Sequence, residues 1–337
     1  MEVGFSEYFR GDAWRHSPRV RRFADLIEEV SDDRLERMAR EARSLTQGHF
    51  GRTMRLYAPL YLSNECINAC KYCGFSRDNP ILRVTLAQDD VEREARHLVA
   101  EGFRSILLVA GEHPRFVSEG YLEQCIRRVV ALAPSVSLEV GPLEEDAYRA
   151  MVGAGADGLV VYQETYDRDT YAELHTAGPK KDFDWRLDCP ERAAAAGFKR
   201  VGIGALLGLA DWREDALRLG AHADYLLKNC WRSFLTVSFP RLRPAAGEFE
   251  PGFLVSDRDF VQLMCAFRIA FPRIGLVLST REAASLRDHL AVLGVTHMSA
   301  GSHTEPGGYT GAGRADAHVT VRGRRVAHIA SEGEHRS

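Results

Sequence analysis

Ser63-Asn64-Glu65-Cys66-Ile67-Asn68-Ala69-Cys70-Lys71-Tyr72-Cys73-Gly74-Phe75 sets three cysteines in the spacing C-x3-C-x2-C, directly behind the apolar run Leu56-Tyr57-Ala58-Pro59-Leu60-Tyr61-Leu62. Thiolates packed this tightly on one loop can converge on one metal centre, and soft sulfur selects iron–sulfur clusters or zinc. Three ligands are one short of a closed site, so a four-iron cluster held here would keep one iron open. A zinc site would borrow a distant histidine. Zinc ligands more often come as two short doublets across a longer gap, and no second doublet occurs in the sequence.

The C-x3-C-x2-C spacing, with Tyr72 just before the third cysteine, resembles the signature of radical S-adenosylmethionine (SAM) enzymes. In that superfamily three cysteines hold a [4Fe–4S] cluster whose open iron chelates SAM. One electron from an external reductant then cleaves SAM to methionine and a 5′-deoxyadenosyl radical. The resemblance gives Cys66, Cys70 and Cys73 the ligand roles and places Tyr72 beside the cofactor.

The chain has 337 residues, 45% hydrophobic and 27% charged, with a net charge of −3. This is an ordinary globular composition, and it argues against a generic nucleic-acid surface. No stretch approaches the ~20 apolar residues that span a bilayer, and the N-terminus lacks the pattern of a signal peptide. Seven cysteines, three of them clustered, suit a reducing cytoplasm better than a disulfide framework. Cys125, Cys189, Cys230 and Cys265 are expected as buried hydrophobes.

Apolar positions at helical spacing over residues 20–47 predict one or two helices leading into the core domain. Beyond them, predicted strands at 55–62, 104–110, 136–140, 157–162, 200–206, 234–239, 274–279 and 294–300 alternate with amphipathic helices at 88–101, 119–132, 144–154, 211–230, 256–270 and 281–290. Such alternation implies a parallel sheet with helices outside. Eight strands point to a closed (β/α)8 TIM-type barrel over 51–309, with helices at 1–50 and a divergent, weakly ordered tail at 310–337.

In such barrels the active site lies at the C-terminal strand ends, and polar clusters follow the predicted strands. The first strand runs into the cysteine loop and the second into Gly111-Glu112. The fourth gives Tyr162-Gln163-Glu164-Thr165-Tyr166, with Arg186 downstream. After the sixth come Arg241 and Arg243, after the seventh Ser279-Thr280-Arg281-Glu282, and after the eighth Ser299 and Ser302. Gly111-Glu112 resembles the superfamily's Gly-Gly-Glu-type motif for the SAM amino group. Glu164 suits the SAM ribose or ammonium, and Arg186 the SAM carboxylate, because a guanidinium grips carboxylates through two parallel hydrogen bonds. Three further arginines at one mouth imply an anionic substrate group, most simply an amino-acid carboxylate. At least one of them is expected to be structural, paired with Glu282 or Glu305. His113, His175 and His303 are read as satisfied polar groups.

The match narrows further. Ser-Asn-x-Cys-x3-Cys-x-Tyr-Cys-Gly-Phe, Val161-Tyr162-Gln163-Glu164-Thr165-Tyr166, Ser238-Phe239-Pro240-Arg241-Leu242-Arg243-Pro244, Ser279-Thr280-Arg281-Glu282 and Pro306-Gly307-Gly308-Tyr309 together resemble the ThiH-type tyrosine lyases, the 2-iminoacetate synthases of thiazole biosynthesis. The resemblance implies hydrogen abstraction from the amino group of L-tyrosine and cleavage of its Cα–Cβ bond. The products would be p-cresol and 2-iminoacetate, the latter consumed by a thiazole synthase partner in thiamine biosynthesis. By analogy with the related tryptophan lyase, Arg281 and Ser299 would clamp the substrate carboxylate, with Arg241 close by.

Two departures accompany the resemblance: the N-terminal extension looks short, and the family's usual C-terminal region is missing after Tyr309. A hydrogenase-maturation tyrosine lyase would need a second cluster, yet no cysteine follows Cys265. A tryptophan lyase-type enzyme would share the cluster, the barrel and the basic mouth, differing only in its substrate pocket. A non-catalytic iron–sulfur scaffold would share the cluster but would have no need of arginines at the strand ends.

Overall fold

A computed structural model describes residues 4–243, 249–321 and 324–328. Eight parallel strands close into a barrel: Arg55–Ser63, Ser105–Ala110, Ser135–Glu139, Gly158–Val160, Arg200–Gly204, Phe234–Ser238, Gly275–Leu278 and His297–Ser299. Each is hydrogen-bonded to its sequence neighbours, and the first pairs the eighth through Arg55↔His297 and Tyr57↔Ser299. All eight expected strands are present, most of them shortened at their ends. The period-2 alternation explains the layering. Val136 and Leu138 pack outward under the helices, while Ser137 lines the barrel interior.

Helices Gln88–Ala100, Glu119–Val130, Glu145–Ala154, Trp212–Asn229, Asp257–Ala270 and Ala284–Ala291 follow the expected segments. Several start on a side-chain cap. Ser118 accepts from Tyr121 N, Ser256 from Asp259 N, and Asp211 from Arg213 N and Glu214 N. The N-terminal helices Pro18–Ile27 and Asp32–Phe50 bury Phe23, Ile27, Met38 and Ala42 in the same core as Asp257–Ala270, with the Phe23 and Phe267 rings 4.5 Å apart. Cys125, Cys189 and Cys265 are buried as expected, whereas Cys230 is half-buried at the end of its helix. Among the described residues no helix is long and apolar enough to cross a membrane.

Between the fourth and fifth strands the chain makes a long excursion through helices Arg168–Leu174, Phe183–Leu187 and Cys189–Ala196. Within it, His175–Ala177 pairs antiparallel with Ala69–Cys70 of the cysteine loop.

Past the eighth strand, Tyr309 and Thr310 are held by the buried Glu94 carboxylate, which accepts from Tyr309 N at 3.1 Å and Thr310 N at 2.8 Å. Strands His318–Val321 and Arg324–His328 then pair with each other, and the first also pairs with Leu82–Arg83 beside the cysteine loop. His318 Nε2 lies 2.7 Å from Oε1 of Glu65, a carboxylate 1% exposed that directly precedes Cys66. Arg83, wholly buried, donates to the carbonyls of Asn64, Phe75, Ser76 and Asn79. One guanidinium thereby joins both ends of the cysteine loop. Replacing it by methionine of similar length would remove a charged donor from four carbonyls, of which Ser76 O and Asn79 O keep a backbone N–H, at a cost on the order of 3 kcal/mol. Arg83→Met is expected to melt several degrees lower and to expose the 64–79 segment to protease. His318→Ala, which strands the Glu65 carboxylate, should show a smaller drop that His318→Gln largely recovers. Unchanged melting and proteolysis in Arg83→Met would refute the clamp.

Candidate active site

The cysteine loop leaves the top of the first strand. Its seat is fixed by the second: Gly111 N donates to Ser63 O at 3.0 Å, and a Cβ on Gly111 would stand 2.2 Å from the Glu65 carbonyl oxygen. From sequence, this glycine is expected to let a ligand approach. The structure shows a close approach of Gly111 to the loop backbone. Glu112 O accepts from Ile67 N at 2.8 Å, and the Glu112 carboxylate accepts from Asn68 Nδ2 at 2.7 Å. That side chain lies over Gly141, where a Cβ would come within 2.6 Å of it.

Cys70 is buried, and Cys66 and Cys73 are half-buried. Asn68 Nδ2 points at Cys66 Sγ from 3.6 Å. Burial pushes the Cys70 thiol up to about 12 and raises Cys73, while the Lys180 ammonium opposes both. Among the described residues no three His, Cys, Asp or Glu side chains close on a point as around a single ion. Three soft sulfurs strung along one loop, with a cation beside them, fit the corners of an iron–sulfur cluster.

The excursion after the fourth strand brings the charge. Glu164, the one described non-glycine residue with a positive φ (73°), turns its carboxylate onto Lys180 Nζ at 2.6 Å and an Arg186 terminal nitrogen at 3.4 Å. Burial would raise this carboxyl, but Lys180 and Arg186 outweigh it and hold it below its ordinary range. Arg186 Nε also donates to Tyr162 O at 2.7 Å. Tyr72, expected at the cofactor, has its hydroxyl 2.8 Å from His175 Nε2 and its ring face 5.6 Å from Lys180 Nζ. His175 is thus a satisfied histidine, as expected, with Nδ1 on Tyr171 O.

Across the mouth, Glu282, 3% exposed, takes two of the three arginines. Arg241 meets both of its carboxylate oxygens and also Asp257 at 2.7 Å and Val255 O at 3.0 Å. Arg243 donates to Glu282 Oε2 at 2.9 Å. Arg241 therefore has its donors committed within the protein. Among the described residues the Arg281 guanidinium makes no hydrogen bond or ion pair, and its charge is felt by Tyr61, Tyr162 and Glu139. Ser299, buried, accepts from Thr280 N at 3.0 Å. The Ser302 hydroxyl is buried without a partner among the described residues.

Two members of this mouth are not evident in the sequence. Lys180 sits in a surface-like Lys-Lys pair. Glu139 ends the third strand on the inward side and looks like the polar end of an alternating segment. Burial, reinforced by Glu164, raises the Glu139 carboxyl from 4.5 to about 7 against the pull of Arg281, Arg186 and Lys180. Between those values the folded chain holds a proton that the unfolded chain has released. The contribution of this group to stability therefore falls as pH rises through that window. Glu139→Gln is expected to be more stable than the wild type at pH 8, by at most about 3 kcal/mol at about 1.4 kcal/mol per pKa unit, with the difference shrinking toward pH 5. An equal gap at both pH values would contradict the assignment.

The radical SAM superfamily model matches residues 60–219, and the biotin and thiamin synthesis associated domain model matches residues 238–331, past Tyr309. The chain is 44% identical to the 2-iminoacetate synthases of Salmonella typhimurium and Escherichia coli over 285 residues, covering 84% of this chain and 76% of theirs. It superposes with a TM-score of 0.82 on the FeFe-hydrogenase maturase HydG from Carboxydothermus hydrogenoformans, at 38% identity over 86% of this chain and 69% of that one. A cysteine loop at the head of a closed parallel barrel, with this degree of identity along most of the chain, places it in the 2-iminoacetate synthase (ThiH) family of radical SAM enzymes.

Proposed function

We propose that this chain is a radical SAM lyase that breaks the Cα–Cβ bond of L-tyrosine, releasing p-cresol and 2-iminoacetate. The observation that carries this reading is the sharing of one barrel mouth. The three thiols, the Glu164–Lys180–Arg186 ion cluster and the free Arg281 all stand at the C-terminal strand ends.

Cys66, Cys70 and Cys73 would hold a [4Fe–4S] cluster, and Gly111, Glu112, Glu164, Arg186 and Tyr72 would surround SAM. When bound, that pair supplies a 5′-deoxyadenosyl radical. The chain's own part is placement, because a radical takes whichever hydrogen it reaches first. Arg281 and Ser299 grip the tyrosine carboxylate at the ends of the seventh and eighth strands. Arg241 acts through Glu282, fixing the turn that carries Arg281. An external one-electron reductant is required. A thiazole synthase is the protein partner that takes 2-iminoacetate, and the cytoplasm is the compartment, which seven free-standing cysteines suit. The same reading divides the chain into a helical segment (1–50), a catalytic barrel (51–309) and a tail (310–337).

The test is anaerobic reconstitution with SAM, a reductant and tyrosine, followed by assay of 5′-deoxyadenosine and p-cresol together. Both products are expected, and both should vanish in Cys66→Ala. Deoxyadenosine without p-cresol would reject tyrosine and bring tryptophan forward as substrate. Neither product from a cluster-loaded protein would favour a non-catalytic scaffold. In Arg281→Lys the forked grip is lost, and KM for tyrosine should rise by roughly 10- to 100-fold, the worth of about 1.5–3 kcal/mol for a charged hydrogen bond.

A further inference from the structure

Among the described residues Glu139 is a charged group in the mouth for which neither the fold nor the cofactor reading has a use. It shares its inward parity with Ser137, which lines the barrel interior, and it stands at the last position of its strand, level with Val109. Its surroundings are the phenols of Tyr57, Tyr61 and Tyr162, the Arg281 guanidinium, and the Glu164 carboxylate with its partners Lys180 and Arg186. Lys180 and Arg186 are already engaged by Glu164. Among the described residues the Glu139 carboxylate makes no hydrogen bond or ion pair. Half-buried and without a protein partner among those residues, this carboxylate is left open to a partner from outside the chain.

Arg281, exposed at the same mouth, is likewise without a partner among the described residues and carries the opposite sign. An unpaired carboxylate and an unpaired guanidinium facing one mouth are complementary to a zwitterion. An α-amino acid would set its carboxylate toward Arg281 and its ammonium toward the acid.

We propose that Glu139 is a catalytic residue that receives the α-ammonium of the substrate and takes one proton from it. This rests on the amino-acid lyase reading above. In the step, an Nα–H bond of the ammonium breaks, an Oε–H bond forms on Glu139, and the nitrogen keeps the electron pair. No oxidant or reductant enters. The nitrogen is left as a neutral amine, whose remaining N–H hydrogens face the SAM side of the mouth, where Glu164, Lys180 and Arg186 stand. A carboxylate suits the task because an ammonium only donates, and the burial that raises this acid makes it a competent proton acceptor. A glutamine would keep the shape and one acceptor oxygen but could take no proton.

The test is equilibrium binding to the reconstituted, SAM-loaded protein without reductant, so that nothing turns over. L-Tyrosine is compared with 3-(4-hydroxyphenyl)propionate, which lacks only the amino group. The wild type should bind tyrosine at least tenfold more tightly. In Glu139→Gln the tyrosine affinity should fall by roughly tenfold or more while the affinity for the deaminated acid changes less than twofold, which also shows the pocket intact. Arg281→Gln should weaken both ligands. The proposal is overturned if Glu139→Gln keeps the preference for tyrosine, if it weakens both ligands equally, or if the wild type does not distinguish them. Assay of p-cresol from the same wild-type preparation reports separately on the lyase reading, so that lysis can stand while the role of Glu139 falls.

Discussion

Everything at the mouth of this barrel depends on one buried cation. Arg83 donates to backbone carbonyls at Asn64 and at Phe75, Ser76 and Asn79, so the cysteine loop is tied at both of its ends to the same guanidinium. The loop's own bonds, Cys70 N to Ser76 Oγ and Asn79 Nδ2 to the Cys73 and Gly74 carbonyls, hold its second half, but Arg83 ties that half to Asn64 at its start. The planar fork of arginine suits this tie geometrically, with several donors in one rigid plane serving acceptors that a flexible ammonium would serve only in part. Glu65 supplies countercharge, and His318 closes the arrangement from a strand that pairs with Leu82–Arg83. The far end of the chain is thereby built into the site of its most reactive residues.

The charges around the mouth sort into those that satisfy one another and those that do not. Glu164 with Lys180 and Arg186 forms a compact cluster on the side of the cysteines. Arg241 and Arg243 are absorbed by Glu282. Among the described residues Glu139 and Arg281 are left over with opposite sign, the first half-buried and the second exposed. Folding alone gives no reason to place a half-buried carboxylate there without a partner. Such local costs are typical of places where a ligand completes the structure. Glu164 adds a second cost of the same kind, with a backbone conformation that a residue bearing a Cβ adopts reluctantly.

The cysteine spacing and the strand–helix alternation were legible because each is encoded over a few adjacent residues. A ligand motif depends on local reach, and a barrel strand on a period of two. For the same reason the polar residues at strand ends could be named in advance. What sequence could not convey were pairings made across the fold. Glu65 and His318 are 253 residues apart. Lys180 reaches Glu164 only because His175–Ala177 pairs with Ala69–Cys70 and carries the following turn over the cluster loop. Glu139 was hidden differently. In Ser135-Val136-Ser137-Leu138-Glu139 the alternation is plain, but in a barrel both faces are enclosed, and the inward face of an alternating strand looks in sequence like a solvated one.

The fate of the three arginines shows how a chain selects which cation to leave free. Arg281 and Glu282 are adjacent, yet they serve opposite purposes, because the tight turn after the seventh strand sends successive side chains in different directions. Glu282 points into the protein, where Arg241 and Arg243 from the sixth strand's loop arrive together and saturate it. Arg243 Nε also holds the Arg281 carbonyl at 3.1 Å, so the backbone of the free arginine is pinned by the paired ones. A single buried carboxylate thus engages two guanidiniums, with Asp257 supplying a second negative charge, and through them fixes the base of the third. An isolated arginine on an unsupported loop would lose rotamer and backbone freedom on meeting a ligand. Here the backbone part of that cost is met during folding, and the guanidinium alone remains to be ordered.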